Sequence, residues 1–360
     1  METFALRPAI YFGDDALSAL EALAGKRVLI VTDDFLAHKS GLLPRVTAHL
    51  KGALTEVFSK VTPDPSLRLV AEGVRALRDF SPDAVLAFGG GSPMDCAKAM
   101  RHFSDRPGLL FYAVPTTAGT GSEVTSFAVL TDTDAGVKYP LVDDALLPDA
   151  AILDASLLAG VPGPVTADTG MDVLTHASEA YVARKANAFT DALAERAFVL
   201  AWENLIKAHA AKGEHPAKEQ MLLASCMAGI AFNGAGLGAN HALAHSLGGR
   251  YHTPHGRLNA MLMPHVIRFN AEEPAAAKKY AALAKACGLA PNARALSSAL
   301  GRLRQSLGMP GRLTDCGVER KTVLADLEAI TAAALADVCM PGNPRSAAAA
   351  ELAAIVREVL

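Results

Sequence analysis

The 360-residue chain contains few cysteines and none of the cysteine pairs that bind metals. Its five cysteines are scattered and odd in number, and no two of them form a Cys-x-x-Cys pair. Neither a disulfide framework nor a thiolate metal site is therefore expected. The N-terminal residues also lack the charged-then-apolar pattern of a secretory signal. We accordingly expect a reduced, cytoplasmic protein.

An excess of either charge is also missing. The chain has 34 basic and 37 acidic residues and a net charge of −3, so nothing predicts a nucleic-acid partner or an anionic membrane surface. No uninterrupted apolar run approaches the length of a bilayer span, and no membrane association is expected. Hydrophobic residues make up 51% and charged residues 20%, a balance typical of compact globular enzymes.

The hydrophobic pattern divides the chain near residue 158. Before this point, short apolar runs such as residues 84–88 alternate with helical stretches, a rhythm typical of a parallel β-sheet. Beyond it, alanine and leucine recur at helical spacing, after a breaker segment at residues 160–164. The prediction is an α/β dinucleotide-binding domain with a Rossmann-like parallel sheet at residues 1–158, followed by an all-helical domain at residues 159–360.

A glycine-rich loop follows the predicted strand at residues 84–88. The loop reads Gly89-Gly-Gly-Ser-Pro-Met-Asp95, and a helix follows it. Glycines let a phosphate approach the backbone, and the free N–H groups of a helix start attract anions. Ser92 is suited to cap this helix, with Asp95 completing a capping box. The run is neither Gly-x-Gly-x-x-Gly nor a P-loop, so these residues alone leave both a phosphate site and a simple tight turn open.

Two further strand ends carry polar residues. The predicted strand at residues 109–114 ends at Pro115-Thr-Thr-Ala-Gly-Thr-Gly-Ser-Glu123, whose hydroxyls and amides could line a ribose or a phosphate. The predicted strand at residues 27–32 ends at Asp33. An acid in that position can bond a ribose 2′-hydroxyl and repel a 2′-phosphate. In the usual dinucleotide fingerprint the acid follows the glycine loop, whereas here it precedes it.

Histidine is concentrated in the second half of the chain. Asp172 and His176 lie four residues apart, so on a helix they would share one face. A second helix supplying His241 and a loop supplying His255 could complete a site for one ion, and this ligand mixture suits divalent iron, zinc or nickel. Spacing alone would instead pair His241 with His245 as metal ligands on one helix face. The remaining alternative is that all of these are ordinary helix residues. Four of the eleven histidines fall within fifteen residues, namely His241, His245, His252 and His255.

These loops, the histidine pattern and the C-terminal tail occur together and in a fixed order. The motifs are Gly-Gly-Gly-Ser-Pro-Met-Asp95, Pro-Thr-Thr-Ala-Gly-Thr-Gly-Ser-Glu123, Gly-Met-Asp172-x-x-x-His176, Gly-x-x-His241-x-x-x-His245, Pro-His255-Gly256 and Asp337-Val-Cys-Met-Pro-Gly-Asn-Pro-Arg345. The combination resembles the iron-containing (group III) alcohol dehydrogenase family over essentially the whole chain. The resemblance implies a dehydroquinate synthase-like architecture, with the metal in a cleft between the two halves.

The resemblance also implies which residues bind the metal. Fe²⁺ is the expected ion, with Zn²⁺ as the alternative. The family histidine that matches His245 lies beside the nicotinamide, which implies a catalytic proton-relay role, and orienting a ligand is the alternative role. The expected metal ligands are Asp172, His176, His241 and His255.

The resemblance also implies which residues contact the cofactor and the substrate, and NAD(H) is the expected cofactor. Asp33 is expected to hold the adenosine ribose and to favour NAD over NADP. Lys138 is expected at the cofactor, with a solvated surface lysine as the alternative. Phe127 and Phe232 match positions that line the alcohol pocket, although either could simply belong to the core. The remaining expected cofactor contacts are Gly90, Gly91, Ser92, Asp95, Thr116 and Thr117.

The implied activity is NADH-dependent reduction of a short-chain aldehyde to a primary alcohol. Segments such as Lys138-Tyr-Pro-Leu and Lys279-Tyr-Ala-x-Leu-Ala-Lys-Ala-Cys-Gly288 resemble the 1-propanol dehydrogenase branch of propanediol-utilising bacterial microcompartments. That branch implies propionaldehyde as the favoured substrate, a homodimer or larger homo-oligomer, and a place in the microcompartment lumen with a shell protein or an aldehyde dehydrogenase as partner. Ethanol, butanol, lactaldehyde or 1,2-propanediol, and glycerol are alternative substrates, and a non-enzymatic nucleotide- or metal-binding protein is the other class.

Overall fold

The computed structural model describes residues 4–133 and 137–360, which form two compact units. The first unit comprises Met1–Val161 and Lys212–Leu222, and the second comprises Pro162–Ala211 and Leu223–Leu360. The assignment of separate domains with a boundary at residue 158 stays a prediction.

A six-stranded parallel sheet forms the centre of the first unit. Its strands lie in the order β1-β8-β5-β4-β2-β3, and a separate antiparallel pair joins β6 to β7. Every residue of β4 is buried, as expected for a parallel strand covered on both faces. The predicted Rossmann-like parallel sheet is thereby confirmed. The strands are β1 (Ala9–Phe12), β2 (Arg27–Asp33), β3 (Leu54–Val61), β4 (Ala84–Gly89), β5 (Leu110–Pro115), β6 (Phe127–Asp132), β7 (Val137–Val142) and β8 (Ala150–Leu153).

In the described part of the chain, four α-helices lie between the strands of this sheet. Leu77 and Met100 from two of them are fully buried with Val85 and Phe111 of the sheet. Gly73 allows the two helices to approach closely, because a Cβ there would lie 2.4 Å from the sulfur of Met100. The helices are α1 (Asp34–His38), α2 (Leu43–Thr47), α3 (Leu67–Phe80) and α4 (Gly91–Phe103).

The strand order reverses between β2 and β4. The chain leaves β2 to form β3 on one side and then returns to form β4 on the other side of β2. In open α/β sheets, ligands bind outside the carboxyl ends of the strands at such a reversal. Asp33 ends β2 and Gly89 ends β4, so the predicted ribose contact and the glycine loop leave neighbouring strands at the same edge.

The start of α4 differs from the prediction. The helix begins at Gly91 with Gly90 in the N-cap position, and no side chain caps it. Ser92 and Asp95 therefore lie inside the helix, and the predicted capping box is wrong. The physical reason is Gly89, whose φ of 152° turns the chain early. A Cβ at Gly89 would lie 2.5 Å from the ring of Pro93, so only glycine fits this turn.

The second unit consists of helices joined by loops, and its described residues contain no β-strand. Its core joins Leu243, Leu262, Ile330 and Val356, all of them almost fully buried, from four different helices. The helices that follow α4 along the chain are α5 (Gly163–Val182), α6 (Ala188–Ala210), α7 (Pro216–Ala235), α8 (Ala239–Tyr251), α9 (His255–Asn270), α10 (Pro274–Ala286), α11 (Ala293–Ser306), α12 (Arg320–Ala325), α13 (Leu327–Ala336) and α14 (Ala349–Glu358).

Within the part of the chain that the structure describes, no single helix has both the length and the apolar composition needed to cross a membrane. Helices α7 and α8 meet those two criteria only when taken as a pair, across a bend of 103°.

Candidate functional site

Three of the four predicted metal ligands bring their donor atoms to one point in the second unit. Ligand atoms of Asp172, His241 and His255 all lie within 4.8 Å of one another. The Nε2 atoms of His241 and His255 lie 3.8 and 3.6 Å from Oδ1 of Asp172. Two ligand atoms that are each about 2.1 Å from a tetrahedral ion lie about 3.4 Å apart. The spacing is therefore close to that of a coordination shell.

The fourth predicted ligand, His176, lies beside this cluster. Its Nδ1 is 3.9 Å from Oδ2 of Asp172, and its ring stacks on that of His241 with the centroids 4.6 Å apart. Helix α5 carries Asp172, His176 and Glu179 at positions i, i+4 and i+7, so all three side chains share one buried face. The other face of the His176 ring stacks against Phe232 at 4.6 Å.

Helix α8 presents His241 in its first turn, and its buried N-terminal amides, which have no acceptor within the helix, donate to distant residues. Oε1 of Glu179 accepts a hydrogen bond from the Asn240 amide at 2.7 Å, and Oδ1 of Asn343 accepts one from the Ala239 amide at 3.0 Å. Gly238 permits this approach, because a Cβ there would lie 2.6 Å from Oδ1 of Asn343. The position of His241 is thus set by residues outside its own helix.

His255 is the first residue of α9, so the prediction that a loop supplies it is wrong. The following Gly256 packs against the α5 backbone, where a Cβ would lie 2.1 Å from the carbonyl oxygen of Asp168. Arg257 then binds both carboxylate oxygens of Asp168, at 3.2 and 3.0 Å. This close contact between the two helices holds His255 beside Asp172.

Two buried polar residues orient the donor atoms. Oε2 of Glu179 accepts a hydrogen bond from Nδ1 of His241 at 2.6 Å, which leaves the Nε2 lone pair of that ring facing Asp172. Nδ2 of Asn259 donates to Oδ1 of Asp172 at 2.7 Å and lies 3.0 Å from Nε2 of His255. Oδ1 of Asn259 in turn accepts from Asn240 at 2.8 Å, which fixes the end of the amide that faces the cluster.

Electrostatics in the cluster favour a cation. Burial opposes ionisation of Asp172, but His176, His255 and His241 outweigh burial and hold the pKa of Asp172 well below its usual range. Burial also opposes protonation of His241, yet Asp172 and Glu179 raise its pKa to about 9. Packing around the His255 ring, whose side chain keeps partial exposure, lowers its pKa below the usual value. A metal ion would compete with a proton for His241, and the imidazole and carboxylate donors fit divalent iron or zinc.

His245 lies next to the cluster on the same helix as His241. Its ring is parallel to that of His255, with the centroids 5.2 Å apart. Nδ1 of His245 is 2.9 Å from Oδ2 of Asp337, and the His245 side chain is 32% exposed, against 1% for His241. Burial opposes ionisation of Asp337, but His245 and the Cys339 amide lower the pKa of Asp337 to about 2.

In the first unit, the predicted cofactor residues follow three neighbouring strands. Oδ1 of Asp33 accepts a hydrogen bond from the Leu36 amide at 2.9 Å and so caps α1. Thr116 follows β5, and its amide donates to the carbonyl of Gly89 at 3.0 Å. A Cβ on Gly90 would lie 3.2 Å from the hydroxyl of Thr117, so the two small-residue loops touch. The structure therefore brings these loops together, while their cofactor role stays a prediction.

Asp95 and the second loop belong to a buried polar cluster. The carboxylate of Asp95 accepts hydrogen bonds from the Ser122 hydroxyl at 3.0 Å and from the Val129 amide at 3.1 Å. Nζ of the fully buried Lys98 donates to the same hydroxyl at 2.9 Å and to the carbonyl of Phe127 at 2.7 Å. In the structure, Asp95 therefore holds the loop that follows β5 against α4.

Burial also shifts the pKa values of Lys98 and Glu123. It lowers the pKa of Lys98 to about 8, against the charges of Asp95 and Glu123, and raises the pKa of Glu123 to about 7. Oε1 of Glu123 is buried without a hydrogen-bond partner in the described part of the chain. A neutral carboxyl is thus favoured at this position over much of the mildly acidic range.

Replacing Glu123 with glutamine should remove a pH dependence of stability. The folded pKa of about 7 lies above the ordinary value of 4.5, so the contribution of Glu123 to stability is complete below pH 4.5 and is lost as the pH rises to 7. The free energy of unfolding of Glu123→Gln, relative to wild type, should therefore rise by about 1–3 kcal/mol across that interval. Denaturant unfolding at several pH values measures this difference. The exposed Glu214→Gln is the control, and parallel pH curves for all three proteins would contradict the assignment.

Three further predicted site residues are Lys138, Phe127 and Phe232. Lys138 lies in β7, opposite Thr131, but its side chain is outside the described part of the structure. Phe127 opens β6 and is partly buried, and Phe232 lies on α7 against His176. Phe232 is in contact with a predicted metal ligand.

Sequence reasoning missed the residues that orient the site. Glu179 lies seven residues after Asp172, and Asn259 lies four residues after His255, so helical spacing could have found both of them. Asp337 belongs to the tail motif that carried the resemblance, yet nothing in its neighbourhood along the chain points to His245.

Comparison with known proteins gives the same family over both parts of the chain. Residues 8–155 match the family described as iron-containing alcohol dehydrogenase, and residues 166–360 match the C-terminal part of the Fe-containing alcohol dehydrogenase family. The chain is 45% identical to 1-propanol dehydrogenase PduQ of Salmonella typhimurium, with 100% of each chain covered. It is 38% identical to an NADPH-dependent butanol dehydrogenase of Clostridium saccharobutylicum, covering 96% of this chain and 94% of that one.

A solved structure agrees with these relatives. The crystal structure of a 1,3-propanediol oxidoreductase matches with a TM-score of 0.93 and 37% identity, covering 100% of both chains. The predicted family, fold class and enzyme class are confirmed. The chain belongs to the iron-containing (group III) alcohol dehydrogenase family and is an oxidoreductase that uses NAD(H) and Fe²⁺.

Proposed function

We propose that the chain reduces short linear aldehydes, with propionaldehyde favoured, to primary alcohols at the cluster of Asp172, His176, His241 and His255. The supporting observation is that a buried carboxylate and two imidazole Nε2 atoms, from three different helices, face one point and are each held by a polar partner. Such mixed donors suit a ferrous ion. The 45% identity to a 1-propanol dehydrogenase supports the choice of substrate.

The chemistry supplied at this site when both cofactors are bound is polarisation of the aldehyde oxygen by Fe²⁺ and hydride transfer from NADH. The chain's own residues prepare that chemistry. Asp172 contributes the negative charge that retains the cation, and Glu179 keeps the lone pair of His241 directed at it. Asn259 holds the Asp172 carboxylate in place. Phe232 covers one face of His176 and keeps water from that side.

His245 is proposed to deliver the proton that completes the alcohol during reduction and to remove it during oxidation. Its ring lies parallel to His255, so it is within reach of the same small region. Its side chain is 32% exposed, which allows exchange of the proton with solvent. The buried His241, at 1% exposed, lacks that access.

The edge of the sheet where β2, β4 and β5 end is proposed to bind NAD(H). Asp33 would accept from the ribose 2′-hydroxyl with the oxygen that does not cap α1. Helix α4 begins without a side-chain cap, so its first amides are suited to a pyrophosphate. The proposed contacts at this edge are Asp33, Gly90, Gly91, Ser92, Asp95, Thr116 and Thr117, and Lys138 is proposed as a further contact.

Substrate length is expected to be graded. We expect kcat/KM with NADH to be highest for propionaldehyde and to fall about fourfold for acetaldehyde, because an apolar pocket gains about 0.8 kcal/mol for each buried CH₂ group. Anaerobic steady-state kinetics of the iron-reconstituted protein with C2–C4 aldehydes, in both directions, measure this series. A strong preference for a branched, polyhydroxy or carboxylated substrate would contradict the propanol assignment but not the assignment as a dehydrogenase.

We also propose, on the resemblance to the microcompartment branch, a homo-oligomer that works in the microcompartment lumen and regenerates NAD⁺ for an aldehyde dehydrogenase. Light scattering of the purified protein and co-fractionation with shell proteins test this. A monomer that never fractionates with shells would contradict it.

A further inference from the structure

The C-terminal tail motif reaches the candidate site through Asp337. This residue follows α13 and uses both carboxylate oxygens: Oδ1 accepts from the Cys339 amide at 2.8 Å, and Oδ2 lies 2.9 Å from Nδ1 of His245. The first contact only closes the local turn, which serine or asparagine could also do. The second contact crosses to α8 and is the one that needs explanation.

The bond between Asp337 and His245 sets the state of the imidazole. An ionised carboxylate can only accept, so Nδ1 of His245 carries a proton, and the neutral ring keeps its lone pair on Nε2. The same bond fixes the rotation of the ring, which lies within 17° of parallel to His255. Orientation and tautomer are therefore both determined by one side chain that is itself only 16% exposed.

We propose that Asp337 is a positioning residue for the dehydrogenase reaction, holding His245 in the Nδ1–H tautomer so that Nε2 exchanges the alcohol proton. This inference rests on the proton-relay role proposed for His245. In this role Asp337 acts through its contact with His245.

The experiment compares Asp337→Asn, His245→Gln and the double variant in iron-loaded enzyme. Asparagine keeps the shape and the local turn but loses the charge, so kcat should fall about 10- to 100-fold while iron content and KM for NADH stay unchanged. Because Asp337 acts through His245, the double variant should be no slower than His245→Gln. Asp337→Glu should recover part of the lost kcat.

A matched control lies at the other end of α13. Asp326 accepts a hydrogen bond from the hydroxyl of Tyr251, at the far end of α8, at 2.9 Å. Asp326→Asn therefore removes a similar bond between the same two helices without touching a histidine, and it should leave kcat at the wild-type value.

A second readout is independent of catalysis. In metal-depleted protein labelled with ¹⁵N-histidine, two-bond ¹⁵N–¹H correlation spectra should show His245 as the Nδ1–H tautomer in wild type and as a mixture in Asp337→Asn. The His245→Gln spectrum assigns the signal. This measurement follows the imidazole directly and does not depend on the iron site.

The unfavourable outcomes are distinguishable. A fully active His245→Gln enzyme would remove the relay itself, and the inference with it. Two outcomes with an impaired His245→Gln enzyme would overturn only the part assigned to Asp337. One is an unchanged His245 tautomer in Asp337→Asn, and the other is a loss of kcat in the double variant that equals the two single losses combined. His245, Asp337 and Cys339 also lie close enough for a metal site, so a second bound metal ion that is lost in Asp337→Asn would make Asp337 a ligand and overturn the proposal.

Discussion

Replacing His255 with alanine should strip the protein of most of its iron and lower kcat/KM by at least about 100-fold, because loss of a ligand should cost at least as much as loss of a residue that only orients a ligand. Asp172→Asn should do the same, because it removes the only carboxylate of the proposed ligand set while keeping its shape. The fold should survive the first change, since the His255 side chain is 40% exposed and its loss leaves no sealed cavity. Metal content per chain, thermal unfolding and aldehyde reduction with NADH measure the three effects.

The matched control for His255 is its neighbour His252. That side chain is exposed, and its backbone has a φ of 53° at the end of α8, so His252→Asn suits the conformation and should keep wild-type iron and activity. Ferrous iron should restore more activity than zinc to the depleted wild type, and air should inactivate the iron form, because only iron is oxidisable here. Full activity of metal-depleted wild type would refute the metal role. An air-stable, zinc-activated enzyme would refute only the choice of ion.

Removing the charge of Asp33 should largely abolish the discrimination between NADH and NADPH. We expect wild type to prefer NADH by about 100-fold or more in kcat/KM, because a 2′-phosphate beside a carboxylate costs several kcal/mol. Asp33→Asn is the sharper variant, since asparagine still caps α1 through its oxygen and changes only the charge. Its preference should narrow at least tenfold, mainly through a lower KM for NADPH, and Asp33→Gly should behave in the same direction.

The neighbouring acid gives a control of equal charge. Asp34 is exposed and pairs with Lys39 at 2.5 Å, so Asp34→Asn removes one negative charge from the same helix start and leaves Asp33 unchanged. It should keep the wild-type cofactor ratio. One relative is named as NADPH-dependent, so family membership alone does not decide this preference. Equal use of both cofactors by wild type would show that the role given to Asp33 is wrong.

The parallel sheet was easier to predict from the sequence than the separate antiparallel pair of strands. The apolar run at residues 84–88 predicts a strand that the structure places at Ala84–Gly89, because a buried parallel strand must be apolar on both faces. The antiparallel pair β6 and β7 escaped prediction. Pro140 lies within β7 and weakens the strand pattern, since proline cannot donate to a ladder and is confined to edges.

In the site, spacing along the chain predicted which residues share one helix face. It did not predict how the helices pack against one another. Asp172 and His176 follow from the spacing of one helix, whereas the approach of His255 depends on Gly256 meeting the carbonyl of Asp168. That glycine reads as a loop residue in the sequence, and only the packing shows why it lies inside a helix. The contact of Asp337 with His245 spans 92 positions and has no local signal at all.

The capping of α8 by Asn343 has a consequence for the order of biosynthesis. The amide of Ala239 finds its acceptor 104 residues further along the chain. During synthesis from the N-terminus, the parallel sheet is complete once β8 has emerged, but the helix that carries His241 must wait for the tail. Iron acquisition is therefore expected to follow translation, in cells as in coupled expression extracts. Nascent chains stalled before residue 337 should display a folded sheet but hold no metal.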